Sequence, residues 1–331
     1  MAVNKVAAAY LAYGAYIDDA LDIVQAGDFE EYLQKVPSGA ANGPWDLTWG
    51  PNVNNGILAY IAQGADGSYG LAFRGTNTDT SVPGAFENFA VDLEAFNYVP
   101  WLYPQNANPA MALSAGANQA LALAIGMTDP TTDFSLLDKL RELAASEPLE
   151  LLVAGHSLGG VLTVAASAWL YNQLPKAGTV KNCSIWPHTF AAPTVWNPAF
   201  ASWFQNTFSN QYYAAINSND IVPMAWNNLS AILGTFSPPG PNLWQTKLTL
   251  WLAIDGARCV IQENIIPPYT AIPPTDLFSA PLEADVNWVQ EAGWMHSMQY
   301  QYFLHATGTV APPLPNTSTS GVARSRAAAP R

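Results

Sequence analysis

Apolar positions near the start of the chain recur at a helical spacing: Val6, Tyr10, Tyr13, Ile17, Leu21 and Val24. That period predicts helix over residues 3–35, with Gly27-Asp28 breaking the pattern before a second run at 29–36. Residues 37–51, with two Trp and bounding Pro, read as a loop. Apolar runs at 56–63 and 69–73 flank the turn Asp66-Gly67-Ser68 and predict a hairpin. Helical patterns follow at 110–126 and 134–146, the second capped by Thr132 or Asp133. Beyond Pro148 an apolar strand run covers 149–154, and a long helical pattern covers 161–174. Strand runs at 183–190 and 212–216 flank an amphipathic stretch at 200–208, and 283–304 is helical. Strands alternating with helices predict an α/β protein, its mostly parallel sheet covered on both faces. Sites in such sheets form at the carboxyl ends of the strands.

Three stretches break this rhythm. Residues 77–90 form a short apolar segment hinged by Pro83 and Gly84, suited to cover a pocket as a lid. Residues 225–282 crowd Trp226, Trp244, Trp251 and many Leu between Pro-Pro pairs. They do not read as core strands; they read as a cap-like insertion over the strand ends, or as a satellite core. Residues 311–331, rich in Pro, Ser and Thr, read as a disordered tail. One domain over 1–310 is expected.

Composition narrows the function. Half of the 331 residues are apolar but only 11% are charged, which points to much apolar surface or a large pocket. The formal net charge of −13 disfavours nucleic acid and anionic headgroups as partners. Cys183 and Cys259 allow one disulfide at most, and a buried free thiol is expected at Cys183. Nothing suggests a metal site or a cofactor. The N-terminus lacks a signal-peptide pattern, and no stretch is long and apolar enough to span a bilayer. As written, the chain reads as soluble and cytoplasmic, with secretion left open.

The chemistry centres on Leu151-Leu152-Val153-Ala154-Gly155-His156-Ser157-Leu158-Gly159-Gly160. A strand runs into G-x-S-x-G and a helix leaves it, the context in which the motif exposes a nucleophilic Ser. Gly155 and Gly159 permit close packing, and the helix N-terminus aims N–H groups at any anion beside Ser157. Thr76, at the end of the 69–73 strand, can offer an oxyanion both its hydroxyl and its N–H. Ser157 needs a base oriented by a carboxylate. Of four His, His156 belongs to the turn and His188 to a strand. His296 and His305 remain, and His296 is preferred because Gly293 marks a break beside it. Asp220, after the 212–216 strand, is the carboxylate of choice over Asp255, Asp276 and Asp285. Candidate substrate contacts are His156, Phe86, Phe89 and Trp226.

Phe73-Arg74-Gly75-Thr76, Gly155-His156-Ser157-Leu158-Gly159-Gly160, Asn219-Asp220-Ile221-Val222-Pro223 and His296-Ser297 together resemble the class 3 lipases. These are α/β-hydrolases typified by filamentous-fungal triacylglycerol lipases. The resemblance spans about residues 50–305 and extends to Asn88-Phe89-Ala90-Val91-Asp92-Leu93, just past the family's lid, and to Ala191-Ala192-Pro193. It implies hydrolysis of lipid esters by Ser157, His296 and Asp220, with Thr76 and the Leu158 N–H as oxyanion hole. It implies no cofactor, and a lipid or small ester as partner, with action at a lipid–water interface possible. A longer lid region, an enlarged Trp-rich stretch and few Cys depart from the family pattern. Rival readings are a short-chain or aromatic carboxylesterase, a phospholipase A1, or a lipid-binding protein without catalysis.

Overall fold

The computed structural model describes residues 4–17, 24–76, 97–103, 110–146, 148–174, 183–232, 235, 269–282 and 288–315. Its strands are β1 (Trp45–Asn54), β2 (Ile57–Gly64), β3 (Tyr69–Phe73), β4 (Tyr98–Pro100), β5 (Ala112–Ser114), β6 (Leu149–His156), β7 (Cys183–Phe190), β8 (Tyr213–Asn217) and β9 (Asp276–Phe278). Seven form one sheet in the order β1-β2-β3-β6-β7-β8-β9, while β4 and β5 pair with each other. β1, β2 and β3 run antiparallel as a meander. From β3 to β9 every pairing is parallel. The predicted parallel sheet is therefore present, with an antiparallel margin.

Helices cover both faces. On one side lie Ala115–Ile125, Leu136–Ser146, Leu158–Gln173 and Pro198–Phe208, packed with Leu71, Leu151, Val153 and Ile185 from the sheet. On the other lie Lys5–Gly14, Ala26–Gln34 and Phe303–Thr307, packed on Leu58, Tyr60, Leu152, Phe190 and Tyr213. Alternate residues of one strand thus feed opposite cores, as period-two geometry demands. Leu158–Gln173 is buried from Leu158 to Leu170, which explains its lack of a polar face. In Lys5–Gly14, Ala7 to Gly14 are all buried, and the four Ala let it lie close against the sheet.

Several boundaries differ from the sequence reading. The 37–51 loop holds most of β1. Its Gly50-Pro51 step disguised it, and Pro is tolerated there because β1 is an edge strand with register shifts at Leu47/Trp49 and Trp49/Asn52. β9 lies inside the 225–282 insertion, which therefore does contribute a strand to the main sheet. β5 occupies the start of the 110–126 helical run. Gly27 lies within a helix rather than before one. Ser135, not Thr132 or Asp133, caps Leu136–Ser146: its hydroxyl accepts the Asp138 N–H and donates to the Asp138 carboxylate. The first residues of the stretch read as a tail pack on the protein. Ala311 is buried and the Pro312 carbonyl accepts the Tyr13 hydroxyl at 3.0 Å. Residues 316–331, the lid stretch 77–90 and residues 236–268 of the insertion lie outside the described residues. Among the described residues no helix is long and apolar enough to cross a membrane.

Candidate active site

β6 ends on His156, and Ser157 turns the chain at φ 58°, ψ −126°. A non-glycine residue rarely holds that conformation, so its surroundings must impose it. The Ser157 N–H donates to the Phe190 carbonyl of β7 at 2.9 Å. The Ser157 carbonyl accepts from Gly160 N–H at 2.9 Å and Val161 N–H at 3.2 Å, so the helix starts at once. A Cβ on Gly155 would strike the Gly159 carbonyl, and one on Gly159 would strike the Phe73 carbonyl at the end of β3. The two glycines thus press strand end and helix start together. Gly75 is equally confined: a Cβ there would sit 2.7 Å from the His156 carbonyl and 3.1 Å from Ser157 Cβ. That close approach puts the backbone leading to Thr76 beside the serine.

His296 ends the helix Trp288–His296, which Gly293 does not interrupt; the break falls at Ser297 instead. Its Nε2 lies 2.9 Å from Ser157 Oγ, and its Nδ1 lies 2.8 Å from Asp220 Oδ2. Asp220 is fully buried just past β8. A buried carboxylate needs donors on its oxygens. Oδ1 accepts the Val222 N–H at 2.9 Å, and Oδ2 accepts the Tyr302 hydroxyl at 2.6 Å beside the imidazole. With Nδ1–H donating to Asp220, the lone pair of Nε2 faces the Ser157 hydroxyl. Residues 139 and 76 positions apart from His296 converge on one imidazole.

Thr76 follows β3. Its Oγ1 is buried and has no hydrogen-bond partner among the described residues. A buried hydroxyl without a partner carries an energetic cost, relieved when an acceptor arrives. Leu158 opens its helix, where the first N–H groups have no intrahelical acceptor. The site therefore combines a hydroxyl held against an imidazole with donors free to meet developing negative charge.

Residues 70–229 match the family model for lipase (class 3). Over this segment, just under half of the chain, it is similar to the class 3 lipases. Lipases of Rhizopus niveus and Rhizopus oryzae are each 35% identical to it over 133 residues, covering 40% of this chain and 32% of theirs. The chain thus spans about a third of the length of the curated relatives it matches. The solved structure of M37 lipase superposes with a TM-score of 0.74 over 93% of this chain and 94% of that one, at 22% identity. The shared fold is that of the α/β-hydrolases.

Sequence reasoning missed the groups that hold the trio in place. His156 is buried and both ring nitrogens are taken by protein. Tyr16 hydroxyl donates to Nδ1 at 2.7 Å, and Nε2–H donates to the His296 carbonyl at 2.7 Å. Burial and the neighbouring His296 push its pKa well below the usual histidine range, so it stays neutral and Nδ1 can accept. This corrects His156 from a substrate contact to a brace. Asn217, the last residue of β8, donates its N–H to the Tyr302 hydroxyl at 3.1 Å and its side-chain amide to the Met295 carbonyl at 3.2 Å. Trp226 is buried at φ 73° in the larger core with Ile221, Val222 and Ala225, so it does not stand as an open substrate wall. Phe86 and Phe89 lie outside the described residues. Tyr16 and Tyr302 carry no local motif; only the folded chain brings them to the site.

Proposed function

We propose that this chain hydrolyses carboxylic esters of lipids through an acyl-enzyme, with Ser157 as nucleophile, His296 as general base and then acid, and Asp220 as its orienting carboxylate. The observation that carries this reading is the imidazole of His296 bridging Ser157 Oγ at 2.9 Å and Asp220 at 2.8 Å. His296 takes the Ser157 proton as Oγ attacks the ester carbonyl. Asp220 steadies the imidazolium. The tetrahedral oxyanion is received by the Thr76 hydroxyl and N–H and the Leu158 N–H. His296 then gives its proton to the departing alkoxide, and water, activated by the same imidazole, releases the acid. No step calls on a metal or an organic cofactor. The lipase names of the Rhizopus relatives, 35% identical over the matched stretch, support acylglycerols as the substrate class.

Ser157→Ala removes the nucleophile and leaves the elbow glycines in place. Turnover of a chromogenic acyl ester should drop by a factor of about 10⁴ or more while the melting temperature stays close to that of the parent. Near-full activity in this variant would refute the mechanism. An acyl series from acetyl to octanoyl, measured below and above micelle formation, tests the substrate class: preference for acetyl would point to a short-chain esterase.

A further inference from the structure

Asp276, one of three carboxylates passed over for Asp220, and His305, the imidazole passed over for His296, meet each other instead of Ser157. His305 Nε2 lies 3.0 Å from Asp276 Oδ1, off the line of an ideal hydrogen bond. The other oxygen, Oδ2, accepts the Tyr213 hydroxyl at 2.7 Å and the Lys5 ammonium at 3.2 Å. Burial works to raise the Asp276 carboxyl, yet Tyr213, His305 and Lys5 hold it below the usual carboxylate range.

Asp276 opens β9, and β9 carries the Asp220 loop. The Ser218 N–H donates to the Phe278 carbonyl at 2.7 Å, and the Ala280 N–H donates to Asn217 Oδ1 at 3.1 Å. The Asn219 amide donates to the Ala280 carbonyl at 2.8 Å. β9 itself is weakly held by its backbone: three residues at the edge of the sheet, with Leu277 64% exposed. His305 touches both its ends. It pairs with the carboxylate at 276, and its ring stacks on Phe278 with centroids 3.9 Å apart and planes 6° apart. Phe278 in turn sets its ring edge-on to Tyr302, the donor to Asp220, at 5.3 Å.

We propose that Asp276 and His305 are positioning residues: together they latch β9 to the first and last helices and so fix the loop that presents Asp220 to His296. This rests on the reading of Asp220 as the orienting carboxylate. The test uses Asp276→Ala, His305→Ala and the double variant in the full chain. It reads kcat and KM on a soluble nitrophenyl ester and the low-field proton resonance of the His296 Nδ1–H···Asp220 bond. A loosened carboxylate should lower kcat about tenfold, as small misplacements of reacting groups do, and broaden or shift that resonance, with KM within about twofold. The double variant should be no worse than the poorer single one, because both changes open one latch. Where Asp276→Ala does not fold, the isosteric Asp276→Asn is measured in its place. Folded variants with unchanged kcat and an unchanged resonance would overturn the proposal. Asp220→Asn is the control: if it abolishes activity while the latch variants keep it, the latch alone fails; if it keeps activity, the triad reading fails first.

Discussion

Thr76 shows how far one residue can be argued from both ends. The sequence places it three residues past a strand end, where an oxyanion donor is needed; the fold leaves its buried hydroxyl without a partner among the described residues. Thr76→Val keeps the shape and the N–H and removes only the hydroxyl. If that hydroxyl stabilises the tetrahedral oxyanion, kcat should fall about 10²–10³-fold with little change in KM, and Thr76→Ser should restore most of it. A loss confined to KM would assign Thr76 to ground-state binding instead. Ser157, Asp220 and His296 were legible for the same reason as Thr76. Each is a chemically distinctive residue tied to a strand end or marked by a local motif, and only four His had to be sorted. Tyr16, Asn217 and Tyr302 were not legible. A tyrosine hydroxyl that steadies a carboxylate looks, in sequence, like any apolar position in a helical pattern.

At the scale of elements, the strands that were easy to read are those buried on both faces. β6 and β7 announce themselves as apolar runs, since helices cover both their sides. The margins did not. β1 hides behind Gly50-Pro51, and β9 has three residues with a solvent-facing Leu277, too short for any period to register. The elbow is the element in which local sequence and tertiary contact agree most tightly, and it can be tested by adding one carbon. At Gly159 a Cβ would meet the Phe73 carbonyl, which cannot move without shifting β3. Gly159→Ala should force strand and helix apart, cost about 1–3 kcal/mol of stability as overpacking does, and abolish ester turnover by displacing Thr76 from Ser157. Gly126 gives the matched control. Its φ is −78°, and a Cβ would come no closer than 3.5 Å to the Ala122 carbonyl, an ordinary van der Waals contact. Gly126→Ala should leave activity intact and raise stability by about 0.4–1 kcal/mol by restricting the unfolded chain. Thermal melts and turnover of both variants decide the matter, and equal behaviour of the two would count against the crowding at the elbow.

At the scale of the whole molecule, the sheet separates two cores with different chemistry. The face under Leu158–Gln173 holds the larger apolar cluster. The opposite face buries titratable side chains, and these tie stability to pH. His188 on β7 is fully buried beside the Tyr213 ring at 5.4 Å, and its Nδ1 is 3.1 Å from the Trp186 carbonyl. Burial pushes its pKa down to about 4, against an ordinary 6.5. In the unfolded chain the imidazole takes up a proton as pH falls through 6.5; in the folded protein it resists until about 4. The unfolded state therefore binds more protons between these values, and acid favours unfolding across that window. Stability from this group is fully present above about pH 6.5 and falls as pH drops towards 4, by an amount on the order of 3 kcal/mol. His156, also depressed, acts in the same direction. Asp129 and Asp276 have lowered carboxyls, so their contributions are lost only below the ordinary aspartate range and do not blur the histidine window. His188→Phe keeps a ring against Tyr213 and removes the proton-binding site. Urea unfolding from pH 7.5 to pH 4.5 should show a steep decline in the parent and a shallower one in the variant, whatever their offset at neutral pH. Parallel curves would mean that His188 titrates alike in both states, and the acid sensitivity would then have to come from elsewhere in the fold.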